Sequence, residues 1–234
     1  MFKFDKLVFG DLGWGDEFLF ATLMTITVSI LSMGLGLCLA ILTVWAKLIT
    51  NKITRLIANF YTTVVRGVPE LLVIYLIFFG GNTVVMSIAK LFGYHGYIEL
   101  NALTIGTIAI AFISATYSSE VLRAAYLAVN KGQIEAAKAL GLNKFQIFFK
   151  VMGPQILRHA LPGIGNVWQI TLKDTSLISV TGLVEIMRQT RIASNVEHSP
   201  LTFLVTAALL YLFLTTFSGK FFKLLELNFS KGYN

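Results

Sequence analysis

Residues 18–46 read FLFATLMTITVSILSMGLGLCLAILTVWA, with no charged side chain between Glu17 and Lys47. A hydrocarbon core about 30 Å thick takes roughly 20 helical residues to cross, so this run spans it even when tilted. The rest of the chain agrees. Its 234 residues are 56% hydrophobic and 13% charged, against roughly a quarter charged in an ordinary soluble domain, and the mean hydropathy is +0.74. A soluble globular domain is thereby excluded. The 19 Lys and Arg against 12 Asp and Glu give a net charge of +7. In a soluble chain that excess would raise nucleic acid as a partner. Here it marks loops facing a membrane, and no nucleic-acid partner is expected. Cys38, the one cysteine, sits inside the apolar run, so neither a disulfide nor a Cys-based zinc site can form within the chain. The first residues lack the basic start, apolar core and cleavage site of a secretory signal and are expected to be mature sequence.

Two further charge-free stretches stand out, one between Glu99 and Glu120 and one between Glu197 and Lys220. They predict spans over about 100–126 and 198–219. Two more candidates carry charges: 57–79, interrupted by Arg66, Pro69 and Glu70, and 161–183, interrupted by Lys173 and Asp174. For the first, a start after Glu70 would put Gly80-Gly81-Asn82 within the hydrocarbon, so the earlier boundary is preferred. The expectation is an all-α integral membrane protein of five transmembrane helices, one transmembrane domain over residues 1–234. Lys47, Lys52, Arg55, Lys131, Lys138, Lys144, Lys150, Arg158, Lys220, Lys223 and Lys231 then fall on one side, against Lys3, Lys6, Lys90, Arg188 and Arg191 on the other. Because cytoplasmic loops carry the excess of Lys and Arg, the N-terminus is predicted outside and the C-terminus cytoplasmic.

The cytoplasmic segment between the third and fourth spans is patterned. Residues 133–140 are good helix formers, stopped by Gly141 where a left-handed C-terminal cap needs glycine. Asn143 and Gln146 have capping-box spacing, so a second helix starts at once. The small faces of Ala136, Ala137 and Ala139 would admit another protein's surface, while Phe145, Ile147, Phe148 and Phe149 would supply bulk to dock back on the spans. Such a helix pair is either a partner-docking element or an interfacial cover.

Glu135-Ala136-Ala137, three residues, Gly141, nine residues, Val151, then Pro154 resembles the EAA loop of the membrane subunits of ATP-binding-cassette importers. In that family the loop, here about 133–154, is a coupling helix that fits a cleft on the cytoplasmic ATPase. The family pattern ends Ile-x-Leu-Pro, and this chain has Val151 and Gly153 at the Ile and Leu positions. The resemblance runs from about Phe18 to the last span. It is carried by Arg66-Gly67-Val68-Pro69-Glu70-Leu71-Leu72, Glu120-Val121-Leu122-Arg123-Ala124-Ala125, the stretch from His159 to Trp168, and Leu172-Lys173-Asp174-Thr175-Ser176-Leu177. It is closest to the polar amino-acid uptake branch, and within it to the Q-type permease subunit of arginine and histidine systems. The resemblance implies a multi-pass subunit of the bacterial inner membrane, paired as a heterodimer with a second, homologous permease subunit. It further implies two cytoplasmic ATP-binding subunits, an external substrate-binding protein, and coupling through Glu135, Ala136, Ala137 and Gly141. ATP and Mg would belong to the partner ATPase and no cofactor to this chain.

An ionisable residue within a span is costly unless paired or facing water, so each is a candidate for the translocation path. Arg66 and Glu70 are four apart, the spacing of an intrahelical pair, and Pro69 between them kinks or starts a helix. Glu120 and Arg123, three apart, read as a gating or structural ion pair. Lys173 and Asp174 are adjacent and cannot share a helix face, so at least one points into the bundle or toward a neighbouring subunit. Asp174, Glu70, Lys173 and Arg66 are therefore the substrate-path candidates, with Asp174 and Glu70 as acceptors for a cationic side chain. The alternative is that the acidic pair holds the two membrane subunits together, with the substrate site on the other subunit. Gly34 and Gly36, with Ser29 and Ser32, predict close helix packing. His159 has no ligand-spaced partner, so no metal is expected. No Walker A loop, nucleophile elbow or HExxH occurs, so the chain has no visible means of hydrolysing ATP itself, and the resemblance implies a transport subunit, not an enzyme. The substrate reading is a polar, basic amino acid of the arginine, histidine or lysine type. Its alternatives are another polar compound such as glutamine or an opine, or an ion-coupled carrier or passive channel.

Overall fold

The computed structural model describes residues 3–11, 13–94, 96 and 101–230. Glu99, Leu100 and Lys231, used above as boundaries or charges, lie outside the described residues. Among the described residues all regular structure is helical: α1 (Gly15–Leu48), α2 (Lys52–Gly67), α3 (Glu70–Leu91), α4 (Ala102–Ala128), α5 (Lys131–Ala139), α6 (Lys144–Ile147), α7 (Gly153–Asp174), α8 (Ile186–Glu197) and α9 (Pro200–Ser230). A π turn over Phe148–Met152 joins α6 to α7, and 3₁₀ turns over Thr175–Thr181 prolong α7. Four helices, α1, α3, α4 and α9, are long and apolar enough to cross a membrane. Helix α7 is not among them, because His159, Asn166, Gln169, Lys173 and Asp174 dilute its apolar content.

The expected span over 57–79 is not one helix. Asn51 caps α2, its side chain accepting from the Ile53 and Thr54 amides at 2.9 and 3.4 Å. The helix then ends at Gly67, because the residue before a proline is pushed out of the α region. Val68 is extended, with φ −105° and ψ 143°. The apolar helix that follows is α3, and it runs straight through Gly80-Gly81-Asn82. Each glycine costs about 1 kcal/mol of helix propensity, but in lipid a helix is the only local way to satisfy its backbone. The last span also starts later than expected. His198, with φ +51°, is the left-handed corner between α8 and α9 rather than the first residue of the span.

Helix α4 is the centre of the bundle, packed against α1, α2, α3 and α7. Hydrocarbon supplies no hydrophobic force between spans, so close approach depends on small side chains. Along α4 the buried positions include Gly106, Ala109, Ala111, Ser114, Ala115 and Ser118. On α1, Gly36 lies so close that a Cβ there would collide with the Ser114 hydroxyl and sit 3.1 Å from the Ala111 carbonyl oxygen. Ser32 donates to the Thr107 carbonyl at 3.1 Å. Gly34 plays no such part, since a Cβ there meets nothing within 4 Å.

The N-terminal segment is strapped to the α8–α9 corner. The Lys3 ammonium donates to the Glu197 carbonyl at 2.7 Å, the Lys3 amide to the Thr202 hydroxyl at 3.0 Å, and the Trp14 indole to the Glu197 carboxylate at 3.3 Å. The indole hydrogen bond and the nearby Lys6 and Lys3 charges hold that carboxyl below its ordinary range.

The two glycines of α1 make a matched pair of variants. Gly36→Leu overpacks the α1–α4 contact and is expected to cost about 1–3 kcal/mol, visible as a lower melting temperature in detergent. Gly34→Leu, on an open face, leaves the melt unchanged.

Candidate functional site

The break between α2 and α3 makes Glu70 the first residue of α3, where a carboxylate complements the positive end of the helix. There Tyr117, on α4, donates its hydroxyl to Glu70 Oε1 at 3.0 Å. Asp174, the last residue of α7, is buried, and its carboxyl lies near enough to that of Glu70 for the two to interact electrostatically. Arg66, at the end of α2, does not bridge to Glu70 among the described ion pairs. Its guanidinium lies 5.4 Å from the centroid of the Tyr117 ring, a cation–π contact. The predicted intrahelical pair is thus replaced by an arrangement in which Arg66 and Glu70, on separate helices, both meet Tyr117.

Three of the four substrate-path candidates, Asp174, Glu70 and Arg66, therefore converge on one residue of α4. Lys173 does not join them: it is exposed where Asp174 is buried, as adjacent positions on one helix require. The sequence reading missed Tyr117. Its signal is a phenol within a charge-free span, since a buried tyrosine hydroxyl needs a partner. Two neighbouring carboxyls, with the guanidinium over a ring instead of lying between them, form an acceptor-rich cluster. A cation entering it would gain charge-assisted hydrogen bonds.

One turn further along α4, Glu120 and Arg123 form the predicted pair, with both Arg123 Nε and one terminal nitrogen 3.0 Å from Oε2. A third member went unrecognised. Lys47, whose side chain is 5% exposed, pairs with Glu120 Oε1 and also donates to the Thr62 hydroxyl at 2.7 Å. Its sequence position at the end of the first span reads as a boundary charge, but the side chain turns inward and ties α1, α2 and α4 together.

The loop after α4 is a helix, a glycine turn and a helix. Gly141 has φ +77°. Its amide donates to the Lys138 carbonyl at 2.9 Å and the Leu142 amide to the Ala137 carbonyl at 3.2 Å, the two bonds of a Schellman motif. The Asn143 and Gln146 side chains accept from each other's amides at 2.9 and 3.0 Å, completing the capping box. Two expectations about its faces change. Ala137 is buried inside the loop, so of the three alanines only Ala136 and Ala139 remain outward. Of the four bulky residues, Ile147 docks inward, whereas Phe145 and Phe149 stay 69% and 58% exposed beside Leu140 at 81%. A left-handed turn between such short helices leaves too little length to bury both faces. Glu135 is exposed. Among the described residues, no three His, Cys, Asp or Glu side chains gather as metal ligands.

Residues 32–230 match the family model described as "Binding-protein-dependent transport system inner membrane component". The chain belongs to this family. This permease component is 49% identical over 217 residues to the nopaline transport system permease protein of Agrobacterium fabrum, covering 92% of each chain. It is 36% identical over 220 residues to the histidine/lysine/arginine/ornithine transport system permease protein of Escherichia coli, covering 94% of this chain and 96% of that one. Its fold matches a chain of a crystal structure of an amino acid ABC transporter with histidines, with a TM-score of 0.78, 28% identity and coverage of 92% and 95%. Family membership makes the permease a transport subunit and not an enzyme.

The Lys47–Glu120–Arg123 network predicts unequal costs. Glu120→Ala strands a buried ammonium and is expected to destabilise the permease by roughly 3–5 kcal/mol. Arg123→Ala removes a half-exposed partner and costs about 1 kcal/mol or less. Thermal melts of the two purified variants separate these outcomes.

Proposed function

We propose that this chain is the membrane-spanning permease subunit of an ATP-driven, binding-protein-dependent importer of polar, basic amino acids. The observation that carries the substrate class is the pairing of two acidic side chains, Glu70 held by the Tyr117 hydroxyl and the buried Asp174 near it. A guanidinium, ammonium or imidazolium side chain satisfies both carboxylates, and a neutral side chain satisfies neither. The E. coli relative, which serves histidine, lysine, arginine and ornithine by name, supports the same class. Arg66, at the rim, is the cation available to a substrate carboxylate, and Lys173 faces a neighbouring subunit.

In this reading α7 with its 3₁₀ extension is a fifth span, the N-terminus is outside and the C-terminus cytoplasmic, in the bacterial inner membrane. A second, homologous permease subunit completes a heterodimer. Two cytoplasmic subunits hold ATP and Mg, and an external protein delivers the substrate. The exposed Glu135, Ala136, Phe145 and Phe149 present the docking face to the ATPase, with Ala137 and Gly141 shaping it. Closure of the ATPases then moves α5 and, through the short link at Val129 and Asn130, α4. The Glu120 network keeps α1 and α2 in step during that rigid-body movement.

Charge reversal at Glu135 tests the coupling. In vesicles holding the assembled transporter, Glu135→Lys is expected to abolish ATP-dependent arginine uptake while assembly survives. Uptake indifferent to ATP and to Glu135 would instead identify a carrier or channel.

The acidic pair has its own test. Asp174→Asn or Glu70→Gln, each removing one charged hydrogen bond, is expected to cut arginine uptake about tenfold, equivalent to ~1.4 kcal/mol, with assembly intact. A second reading, import of an opine, is favoured by the higher identity to the nopaline permease. Competition of unlabelled nopaline against labelled arginine distinguishes the two.

A further inference from the structure

Where α1 and α4 end against the loop, the fold leaves a groove of about 660 Å3, within the size range of small-molecule sites. Its walls are apolar: Val44 and Trp45 from α1, Leu122 and Tyr126 from α4, Phe148 from the π turn and Ile156 from α7. The exceptions are Lys138 and Lys144, which line it from either side of the Gly141 turn. Neither lysine has an ion-pair partner among the described residues, and both are exposed. Glu135, Ala136 and Gly141 do not line the groove.

These features select one kind of occupant. A water-soluble anion would answer the lysines and leave the apolar walls empty, whereas an uncharged lipid would fill the walls and leave the lysines unanswered. The groove also sits at the ends of two membrane-length helices, at Leu48 and Ala128, which in the proposed topology is the level of the cytoplasmic headgroups. Trp45 and Tyr126 are the aromatic types that favour that level, and lysine stems lie along apolar surface with their ammoniums in the polar layer. We propose that this groove binds an anionic glycerophospholipid, its acyl chain against α1 and α4 and its phosphate at Lys138 and Lys144. The bound lipid packs the loop onto the bilayer. The site is distinct from the acidic cluster and does not depend on which amino acid is carried.

The test uses the transporter assembled with its ATPase, titrated in detergent with phosphatidylglycerol and with phosphatidylcholine of the same acyl chains and read by native mass spectrometry. Phosphatidylglycerol is expected to be retained at least about fivefold more than phosphatidylcholine. Lys138→Gln with Lys144→Gln abolishes that preference. Lys131→Gln with Lys150→Gln, lysines outside the groove, leaves it within about twofold. Equal retention of the two lipids, or equal loss in both double variants, would overturn the proposal. In membranes, a photo-crosslinking benzoylphenylalanine in place of Val44 is expected to capture phospholipid. Capture of another polypeptide instead would make the groove a subunit interface and overturn it as well.

Discussion

Helix α4 packs against α1, α2, α3 and α7, and the structure depends on the close approach this demands. In a bilayer the tails are as apolar as leucine, so spans associate through packing and polar contacts rather than through hydrophobic drive. Small residues meet that condition: Ala111 and Ser114 on α4 receive Gly36 of α1, and Ser32 reaches a backbone carbonyl of α4. With α4 fixed in this way, Tyr117 and Glu120 become the reference points for the other helices.

Those side chains are spaced to serve two purposes at once. Tyr117 collects Glu70 of α3, Arg66 of α2 and, through Glu70, Asp174 of α7. Three residues later Glu120 collects Lys47 of α1 and its own Arg123. Positions three apart are near neighbours on a helix surface, so the acidic cluster and the ion-pair network share one turn. The same helix leads through Val129 and Asn130 into α5. In the functional reading, a displacement of the loop by a partner therefore passes through the two-residue link into α4, the helix that carries Tyr117 and Glu120.

The membrane character was legible in charge-free length, and so was the helix, glycine, helix loop, whose turn and capping box depend on local residue types. The α2–α3 boundary misled because hydropathy averages across Pro69, whereas a single pre-proline residue decides where the helix stops. Glycines at 80 and 81 weigh less in lipid than in water, so α3 passes through them. Lys47 and Tyr117 were hidden for the opposite reason. Their roles come from contacts between helices far apart in sequence, and nothing in their neighbours announces the partner. Helix α8, between α7 and α9, was missed for want of an apolar signal, since it carries Arg188, Gln189, Arg191 and Asn195 among its twelve residues.

The most direct measurement of the central claim is a structure of the assembled transporter with arginine bound. The account predicts the guanidinium between the Glu70 and Asp174 carboxyls of this chain, with Tyr117 alongside. Density for arginine confined to the sister subunit, with none between Glu70 and Asp174, would contradict it.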